Sequence, residues 1–365
     1  MSQRPTIILT ERDIGAIVSA VGLDALMDET IVGLREAFRT FGDGAVAIQK
    51  RTGFVYDTPE PGLVEFMPCY RRDRNVCMKV VGYHPGNPFR RGLPTIVATN
   101  SLYDVVDGHL LAIVDGCFAT ALRTGAASAV ATEILAHPQA RTLGIVGAGA
   151  QAVTQLHALS RIHRFAEVRV ADRDPAVLAD FPRRVARLGL RAIPSSLDAV
   201  LEAADVLVTA TSVGVGEGPV FSDRPLARHL HVNAVGSDIP GKFELPRALL
   251  ERAYITPDYA AQAVVEGECQ QVRPGEIGAE LHSLVKAPET FASLREATTV
   301  FDSTGCSLED HVVTEILAAH AARLAIGERL VIESGSCDPM DPYAFPDAAV
   351  SAPAWTPALA RPAAA

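Results

Sequence analysis

Three charged residues interrupt segments that are otherwise apolar. Glu65 lies in LVEFMP, Lys79 in VCMKVVG and Arg123 in FATALRTGAA. Burying any one of these charges alone is costly unless the charge is paired or bound to a ligand. Each could instead face solvent from a half-exposed strand or helix, but three of them in one part of the chain favour a shared site.

The cations of this group predict a binding site for a carboxylate. Arginine binds a carboxylate through two parallel hydrogen bonds, whereas lysine acts as a point charge. Arg51 in QKRTGF is a further candidate, although it lies in a loop, where solvated arginines are common.

A candidate acid or base lies in the segment HVNAVGSDIPGKFEL. A predicted strand ends at Gly236, and open α/β sheets bind ligands beyond the carboxyl ends of their strands. Asp238 could act as a general acid or base if a dry site raised its pKa, with Lys242 four residues further on. The alternative is an Asx turn that only ends the strand. Ser303 in VFDSTG occupies a similar strand end.

The segment RTLGIVGAGAQAVTQLHALSRIHRFAEVRVAD predicts a dinucleotide-binding βαβ unit. Gly147, Gly149 and Ala152 have the GxGxxA spacing, between an apolar run and an amphipathic segment. The first glycine permits a tight turn, and the second lets backbone approach a pyrophosphate at the helix N-terminus. Asp172 ends the second apolar run and favours NAD, because an acid there repels a 2′-phosphate. Arg173 follows Asp172 directly, which leaves NADP as an alternative cofactor.

Composition excludes several classes of function. The chain has 365 residues and a formal net charge of −10, which predicts no nucleic-acid partner. No segment has the length and apolarity of a membrane span, and the N-terminus does not resemble a signal peptide. The scattered cysteines form no CxxC pair, and the histidines show no metal-ligand spacing. We therefore expect a cytoplasmic protein with reduced thiols and no metal site.

The order of the predicted elements indicates two domains of different class. Strands at 6–9, 63–69, 76–83, 95–102 and 110–114, with a helix that starts at residue 11 and a longer one at 23–41, predict an α+β domain. An alanine-rich helix at 119–135 then leads into alternating strands and helices. These strands are predicted at 143–147, 168–172, 190–193, 205–210, 231–236, 253–256 and 299–302, which predicts a doubly wound Rossmann-type sheet.

The domain boundaries follow from this order. Residues 1–128 with 318–350 form the predicted α+β domain, which is discontinuous because a last helix at 308–324 returns to it. Residues 129–317 form the predicted Rossmann domain. The proline- and alanine-rich tail at 351–365 is expected to be disordered.

The chain resembles the ornithine cyclodeaminase/μ-crystallin family. The matching segments extend from about residue 50 to residue 330 and are VEFMP, MKVVGYHPGNPFRRGLPTI, ALRTGAASAVAT, GIVGAGAQA, NAVGSDIPGKFELP and VFDSTG. RTGFVYD, GAGAQAVTQLHALSRI, VEGECQQ and ESGSCDPMDPY are more similar to the pipecolate-forming lysine cyclodeaminases of that family.

The resemblance implies a role for each candidate residue. Arg51, Lys79 and Arg123 would hold a substrate α-carboxylate, with Glu65 near the amino groups and Asp238 as the acid/base. The loop from Arg51 to Glu65 is longer than is typical of ornithine enzymes, which leaves Arg51 less firmly assigned. The implied NAD site contains Thr95, Arg123, Thr124, Gly147, Gly149, Ala150, Gln151, Asp172, Lys242 and Ser303. The α+β domain would bind substrate and form a homodimer whose strands pair across the subunits.

The family implies a redox-neutral cyclisation, in which NAD is consumed and regenerated within each turnover. On that reading the chain converts L-lysine to L-pipecolate and ammonia. The alternatives are conversion of L-ornithine to L-proline, a net NAD(P)-dependent amino-acid dehydrogenase or cyclic-imine reductase, and a non-catalytic binder of a small ligand. Asp238 argues against a net oxidoreductase, because loss of ammonia needs an acid/base.

Overall fold

A computed structural model describes residues 4–333, 338–341 and 343–344. The tail at 351–365, Cys337 and part of the ESGSCDPMDPY segment lie outside the described residues.

The first sheet is mostly antiparallel, and β1 and β7 form its parallel pair. Its strand order in the described chain is β15-β1-β7-β6-β5-β4-β2, and β3 pairs with β4 beside β2. The strands are β1 (Thr6–Leu9), β2 (Val46–Ile48), β3 (Thr52–Tyr56), β4 (Gly62–Arg71), β5 (Asn75–Tyr83), β6 (Ile96–Asp104), β7 (Leu110–Asp115) and β15 (Glu328–Leu330).

Helices cover one face of this sheet. They are α1 (Glu11–Val21), α2 (Leu23–Thr40), α4 (Gly116–Leu135) and α11 (Ser307–Leu324), while the short α3 (Asn87–Arg90) lies in the loop between β5 and β6. α4 and α11 are buried along most of their length and pass through the largest hydrophobic core. A charged side chain in the buried part of such a helix needs a partner inside the protein.

The second sheet is parallel throughout, with the strand order β10-β9-β8-β11-β12-β14-β13. Its strands are β8 (Thr142–Val146), β9 (Glu167–Ala171), β10 (Ile193–Pro194), β11 (Val206–Thr209), β12 (His231–Ala234), β13 (Tyr254–Pro257) and β14 (Thr299–Asp302). The chain winds in opposite directions from β8, which places a switch point between β8 and β11, where such sheets bind ligands. The predicted fold class is confirmed.

The second sheet is flanked by α5 (Ala150–Ile162), α6 (Pro175–Ala186), α7 (Leu197–Ala203), α8 (Arg247–Glu251), α9 (Ala260–Glu266) and α10 (Leu281–Lys286). Short 3₁₀ segments follow at Glu268–Gln271, Pro274–Glu276 and Pro288–Glu296. No helix among the described residues has the length and apolarity to cross a membrane.

The structure differs from the sequence prediction mainly at sheet edges. β2 and β3 were not predicted, because β2 has three residues and β3 lies largely exposed beside one neighbour, β4. β10 has two residues rather than the predicted four. α4 begins at Gly116, three residues early, because Asp115 accepts hydrogen bonds from the amides of Cys117 and Phe118 and caps the helix. The proposed domain division remains a prediction.

Candidate active site

Lys79 and Arg123 meet in the interior, where α11 crosses the first sheet. Lys79 is on the face of β5 that packs against α11, and its Nζ lies 2.8 Å from Oδ1 of Asp310. Arg123 projects from α4, and its Nη1 lies 2.8 Å from Oε2 of Glu309. Its Nε lies 3.4 Å from Oδ1 of Asp310, so one carboxylate oxygen is close to both cations. The predicted proximity of the two cations is present.

Burial and pairing set the charge of each member of this cluster. Burial, opposed in part by the neighbouring Asp310 and assisted by the charge of Arg123, lowers the pKa of Lys79 to about 8. Burial also raises the pKa of Glu309 to about 8. Burial opposes ionisation of Asp310, but Lys79 and Arg123 outweigh it and lower the pKa of that carboxyl. The cluster therefore keeps net positive charge where a carboxylate ligand could balance it.

The loop after β14 passes close to Arg123. Gly305 has a φ of +82°, and a Cβ there would lie 2.1 Å from Nη1 of Arg123. Asp258 fixes this loop by accepting hydrogen bonds from the amide of Gly305 at 2.5 Å and from Oγ1 of Thr304 at 2.9 Å. Glycine is therefore required here both by its backbone conformation and by the guanidinium beside it.

Arg51 lies among carboxylates rather than beside Lys79. Its Nη1 is 3.4 Å from Oε2 of Glu65, and its Nε is 3.2 Å from Oε2 of Glu266. Its Nη2 donates to the carbonyl of Thr304. Burial raises the pKa of Glu65, and it raises the pKa of Glu266 to about 7, although the charge of Arg51 opposes both shifts.

Asp238 faces the same space as these carboxylates. Its negative charge contributes to the raised pKa values of both Glu65 and Glu266. Its Oδ1 is 2.8 Å from Nζ of Lys242, and its side chain is 29% exposed while that of Lys242 is 4% exposed. Lys242 Nζ also lies 5.4 Å from the ring centroid of Tyr83. Asp238 is thus the accessible member of a buried ion pair.

Two further buried carboxylates hold the loop that carries Asp238. Glu244 accepts hydrogen bonds from the amides of Thr211, at 2.7 Å, and Gly236, at 2.8 Å, and so joins the loops after β11 and β12. Glu268 accepts hydrogen bonds from the amides of Glu244, at 2.7 Å, and Leu245, at 3.2 Å. Burial raises the pKa of both carboxyls. These contacts position the loop and do not face Lys79.

The glycine turn after β8 has the geometry that a pyrophosphate requires. Gly147 has a φ of +95°, and a Cβ there would lie 2.6 Å from the carbonyl oxygen of Ala210. Gly149 precedes α5 without a side-chain cap, and a Cβ on it would enter open space. Asp172 accepts hydrogen bonds from the amides of Ala148, at 2.7 Å, and Asp174, at 2.8 Å, which fixes its carboxylate beside the turn. These residues fit NAD.

The predicted cofactor residues Ala150, Gln151 and Ser303 lie at the start of α5 or at the carboxyl end of β14. Ala150 and Gln151 form the first turn of α5, and Gln155 of the same helix donates from Nε2 to the carbonyl of Thr124, at 3.1 Å, which joins α5 to α4. Ser303 is buried at the end of β14, and its Oγ has no hydrogen-bond partner among the described residues. An unpartnered buried hydroxyl at a strand end is a suitable donor for a ligand.

Thr95 lies on the first sheet, immediately before β6. Ile96 pairs with Tyr83, whose ring is next to Lys242, so Thr95 lies at the sheet end nearest to the Asp238 loop. Its predicted role rests on the family resemblance.

Sequence reasoning missed the carboxylates that complete the site. Glu309 and Asp310 are in the first turn of α11, where acids commonly serve only to favour the helix dipole. The signal available was the absence of any polar face on that helix. Glu266 was part of the VEGECQQ segment, but no feature of its spacing indicated an ion pair with Arg51.

Comparison with known proteins matches the chain to one family. A model of the ornithine cyclodeaminase/mu-crystallin family matches residues 12–323. The chain is 44% identical to an L-lysine cyclodeaminase of Streptomyces rapamycinicus, over 93% of this chain and 99% of the relative. It is 33% identical to an alanine dehydrogenase of Archaeoglobus fulgidus, over 89% of this chain and 98% of the relative.

Solved structures agree with these matches. A lysine cyclodeaminase studied for its recognition of L-lysine, L-ornithine and L-2,4-diaminobutyric acid superposes with a TM-score of 0.91 at 44% identity, covering 94% of this chain and all of the other. An archaeal alanine dehydrogenase dimer with bound NAD superposes with a TM-score of 0.78 at 29% identity, covering 89% and 99%.

Proposed function

The chain belongs to the ornithine cyclodeaminase/mu-crystallin family, and we propose that it is an NAD-dependent cyclodeaminase that converts L-lysine to L-pipecolate and ammonia. The observation that carries this proposal is a site with two ends of opposite charge. Lys79 and Arg123 form the cationic end, and Glu65, Glu266 and Asp238 form the acidic end. A diamino acid has the matching charges, one carboxylate and two ammonium groups.

Each residue of the site has a defined task in this proposal. NAD supplies the acceptor and donor of hydride at Cα. Lys79 and Arg123 bind the α-carboxylate and so fix the position of Cα. Glu65 and Glu266 accept hydrogen bonds from the distal ammonium group and direct it toward Cα.

Asp238 transfers protons in the same scheme. It takes the proton released when the distal amine attacks and gives a proton to the departing ammonia. Lys242 forms an ion pair with Asp238. Burial acts to lower the pKa of Lys242, but the negative charge of Asp238 helps to raise it overall. The partial exposure of Asp238 allows it to exchange its proton with water between turnovers.

The arms of Arg51 are occupied by Glu65, Glu266 and Thr304. We therefore assign Arg51 to the acidic end, where its charge opposes the rise that burial causes in the pKa values of Glu65 and Glu266. Binding of the substrate carboxylate by Arg51 requires that it leave at least one of these partners.

The protein acts as a homodimer in this proposal. The face of the first sheet opposite to α11 carries apolar side chains that belong to no hydrophobic core of the described chain, namely Val64, Phe66, Val76, Met78, Val80 and Val97. An uncovered apolar sheet face of this kind is typical of a subunit interface. The archaeal alanine dehydrogenase is a dimer.

A comparison of L-lysine with L-norleucine tests the proposed reaction. L-Lysine with NAD should yield L-pipecolate and ammonia in equal amounts, measured by chiral chromatography and an ammonia assay. L-Norleucine, which lacks only the distal amine, should give no cyclic product. The proposal would be excluded if L-lysine gave no cyclic product.

L-Ornithine is the second candidate substrate. The similar lysine cyclodeaminase recognises it, and a pocket separates ligands that differ by one methylene by only about 1–3 kcal/mol. We expect L-proline from L-ornithine at a lower kcat/KM than L-pipecolate from L-lysine.

A further inference from the structure

We propose that Asp310 is a positioning residue for the substrate carboxylate, holding Lys79 and Arg123 side by side without touching substrate itself. This inference rests on the proposed function. Asp310 is fully buried behind the two cations, and its Oδ1 is 2.8 Å from Nζ of Lys79 and 3.4 Å from Nε of Arg123. One oxygen thus sets the position of the two groups that would hold one carboxylate.

The neighbouring Glu309 does not have this bridging position. Its Oε2 binds Nη1 of Arg123 at 2.8 Å, and its Oε1 is 3.8 Å from Sγ of Cys306. It therefore orients Arg123 alone. Asp310 and Glu309 form a matched pair, because they are adjacent, equally buried and both in contact with Arg123, but only Asp310 contacts Lys79.

The backbone of Asp310 is held rigidly against the first sheet. Oγ1 of Thr314 donates to the carbonyl of Asp310 at 2.6 Å, and Nδ2 of Asn100 on β6 donates to Oγ1 of Thr314 at 2.8 Å. Oγ of Ser307 donates to the carbonyl of Pro68 on β4 at 2.7 Å. The first turn of α11 is therefore anchored to two strands, so Asp310 has a fixed position from which to orient its partners.

Asp310 also sets the charge that Lys79 carries. Burial and the positive charges of Arg123 on α4 and Arg51 in the loop before β3 lower the pKa of Lys79. The negative charge of Asp310 raises it. Glu65 on β4 and the thiols of Cys77 and Cys117 are the other titratable groups that interact with Lys79. Asp310 is the one of these groups that forms an ion pair with Lys79. Its removal leaves Lys79 facing two arginines.

The test compares Asp310→Asn with Glu309→Gln in the NAD-loaded enzyme. The readouts are the pH dependence of kcat/KM for L-lysine and the pH dependence of L-pipecolate binding by calorimetry. For Asp310→Asn, the alkaline limb of both profiles should move to lower pH by about one to three units, because Lys79 loses its proton earlier. Glu309→Gln should raise KM but displace the limb by less than Asp310→Asn does, because Glu309 pairs with Arg123 and not with Lys79. Equal displacement of the limb in both variants, or in neither, would overturn the proposal.

An activity-independent measurement covers variants that turn over poorly. The lysines of the chain are Lys50, Lys79, Lys242 and Lys286, so protein labelled with ¹³C at the lysine ε carbon gives a simple NMR spectrum. The signal that is missing from the spectrum of Lys79→Arg is that of Lys79. The Lys79 signal should titrate at lower pH in Asp310→Asn than in the wild type. An unchanged midpoint would contradict the inference, whether or not the wild type turns over L-lysine. Failure of the wild type to turn over L-lysine would refute the proposed function instead.

A conservative variant covers a failure of Asp310→Asn to fold. Asp310→Glu keeps the charge but displaces the carboxylate by one methylene. It should keep the alkaline limb and raise KM for L-lysine at least severalfold with a smaller change in kcat. A KM equal to that of the wild type would show that the position of this carboxylate does not matter.

Discussion

Asp238 has the most exposed side chain among the charged residues at the two ends of the site. Its side chain is 29% exposed, against 1% for Lys79 and none for Asp310, so it alone among the three can exchange a proton with water. A group that takes and returns a proton in each turnover needs this access. The buried ion pairs instead bind and orient.

The acid/base role of Asp238 is tested by Asp238→Asn. The amide oxygen can still accept a hydrogen bond from Lys242, so the loop should keep its conformation. We expect ammonia release from L-lysine to fall by about 100- to 10,000-fold, which is the usual contribution of a positioned acid/base. NAD affinity, measured by calorimetry, serves as the control and should be unchanged; ammonia release near the wild-type rate would contradict the role.

The raised pKa of Glu266 predicts the acidic limb of the pH profile of kcat/KM. Burial raises its pKa to about 7 in the free enzyme, so Glu266 is a carboxylate above that pH and neutral below it. Only the carboxylate attracts an ammonium group, and kcat/KM reports groups of the free enzyme. We expect kcat/KM for L-lysine to fall as pH decreases through about 7.

The variant Glu266→Gln isolates this effect. It should remove the acidic limb and raise KM at high pH by about ten- to hundredfold, because a hydrogen bond to a charged group contributes about 1.5–3 kcal/mol. A wild-type limb that persists in Glu266→Gln would assign it to another residue.

Sequence reasoning located the cations of the site but not their partners. Lys79 and Arg123 could be identified because the residues next to each of them in the sequence are apolar. Glu309, Asp310 and Glu266 could not, because an acid in a first helical turn or near a helix end is unremarkable until tertiary packing buries it. Pairing across some 190 residues, as between Arg123 and Glu309, is a property of the fold.

Among the elements, the glycine turn between β8 and α5 shows how two glycines serve different purposes. Gly147 is required by the fold, since its φ is +95° and Ala210 is in close contact, whereas Gly149 has an ordinary φ of −74° and open space around it. The sequence motif predicts both glycines but does not separate these roles.

The variants Gly147→Ala and Gly149→Ala separate them. Gly147→Ala should lower the free energy of unfolding by about 1–3 kcal/mol through backbone strain. Gly149→Ala should leave stability within about 0.5 kcal/mol of the wild type but weaken NAD binding, because its Cβ enters the space of the pyrophosphate. Chemical denaturation and calorimetry provide the two measurements. If Gly149→Ala left the affinity for NAD unchanged, NAD would not bind at this turn.

Long elements were predicted better than short ones. The helix at 308–324 agrees with α11 to within one residue, and α11 packs in the largest hydrophobic core. β3 was not predicted because its sequence, TGFVY, lacks the alternation of apolar and polar residues that identifies a half-buried strand.

At the scale of the whole molecule, the open face of the first sheet is the feature that requires a partner. Phe66 and Val80 are directly opposite each other on β4 and β5 and face away from the helices. Val80→Glu places a charge in the centre of this face, and we expect a monomer by sedimentation analysis. Ile193→Glu, at the exposed edge of the other sheet, is the matched control and should keep the wild-type mass. A dimer formed by Val80→Glu would place the interface elsewhere.

The central claim is that NAD is regenerated within each turnover, so that the net reaction is a cyclisation and not an oxidation. The direct measurement is to incubate the protein with excess L-lysine and substoichiometric NAD while recording ammonia and the absorbance of NADH. The account predicts ammonia far in excess of the NAD present, with no accumulation of NADH. Ammonia limited to the amount of NAD, with an equal amount of NADH, would contradict it and identify a dehydrogenase.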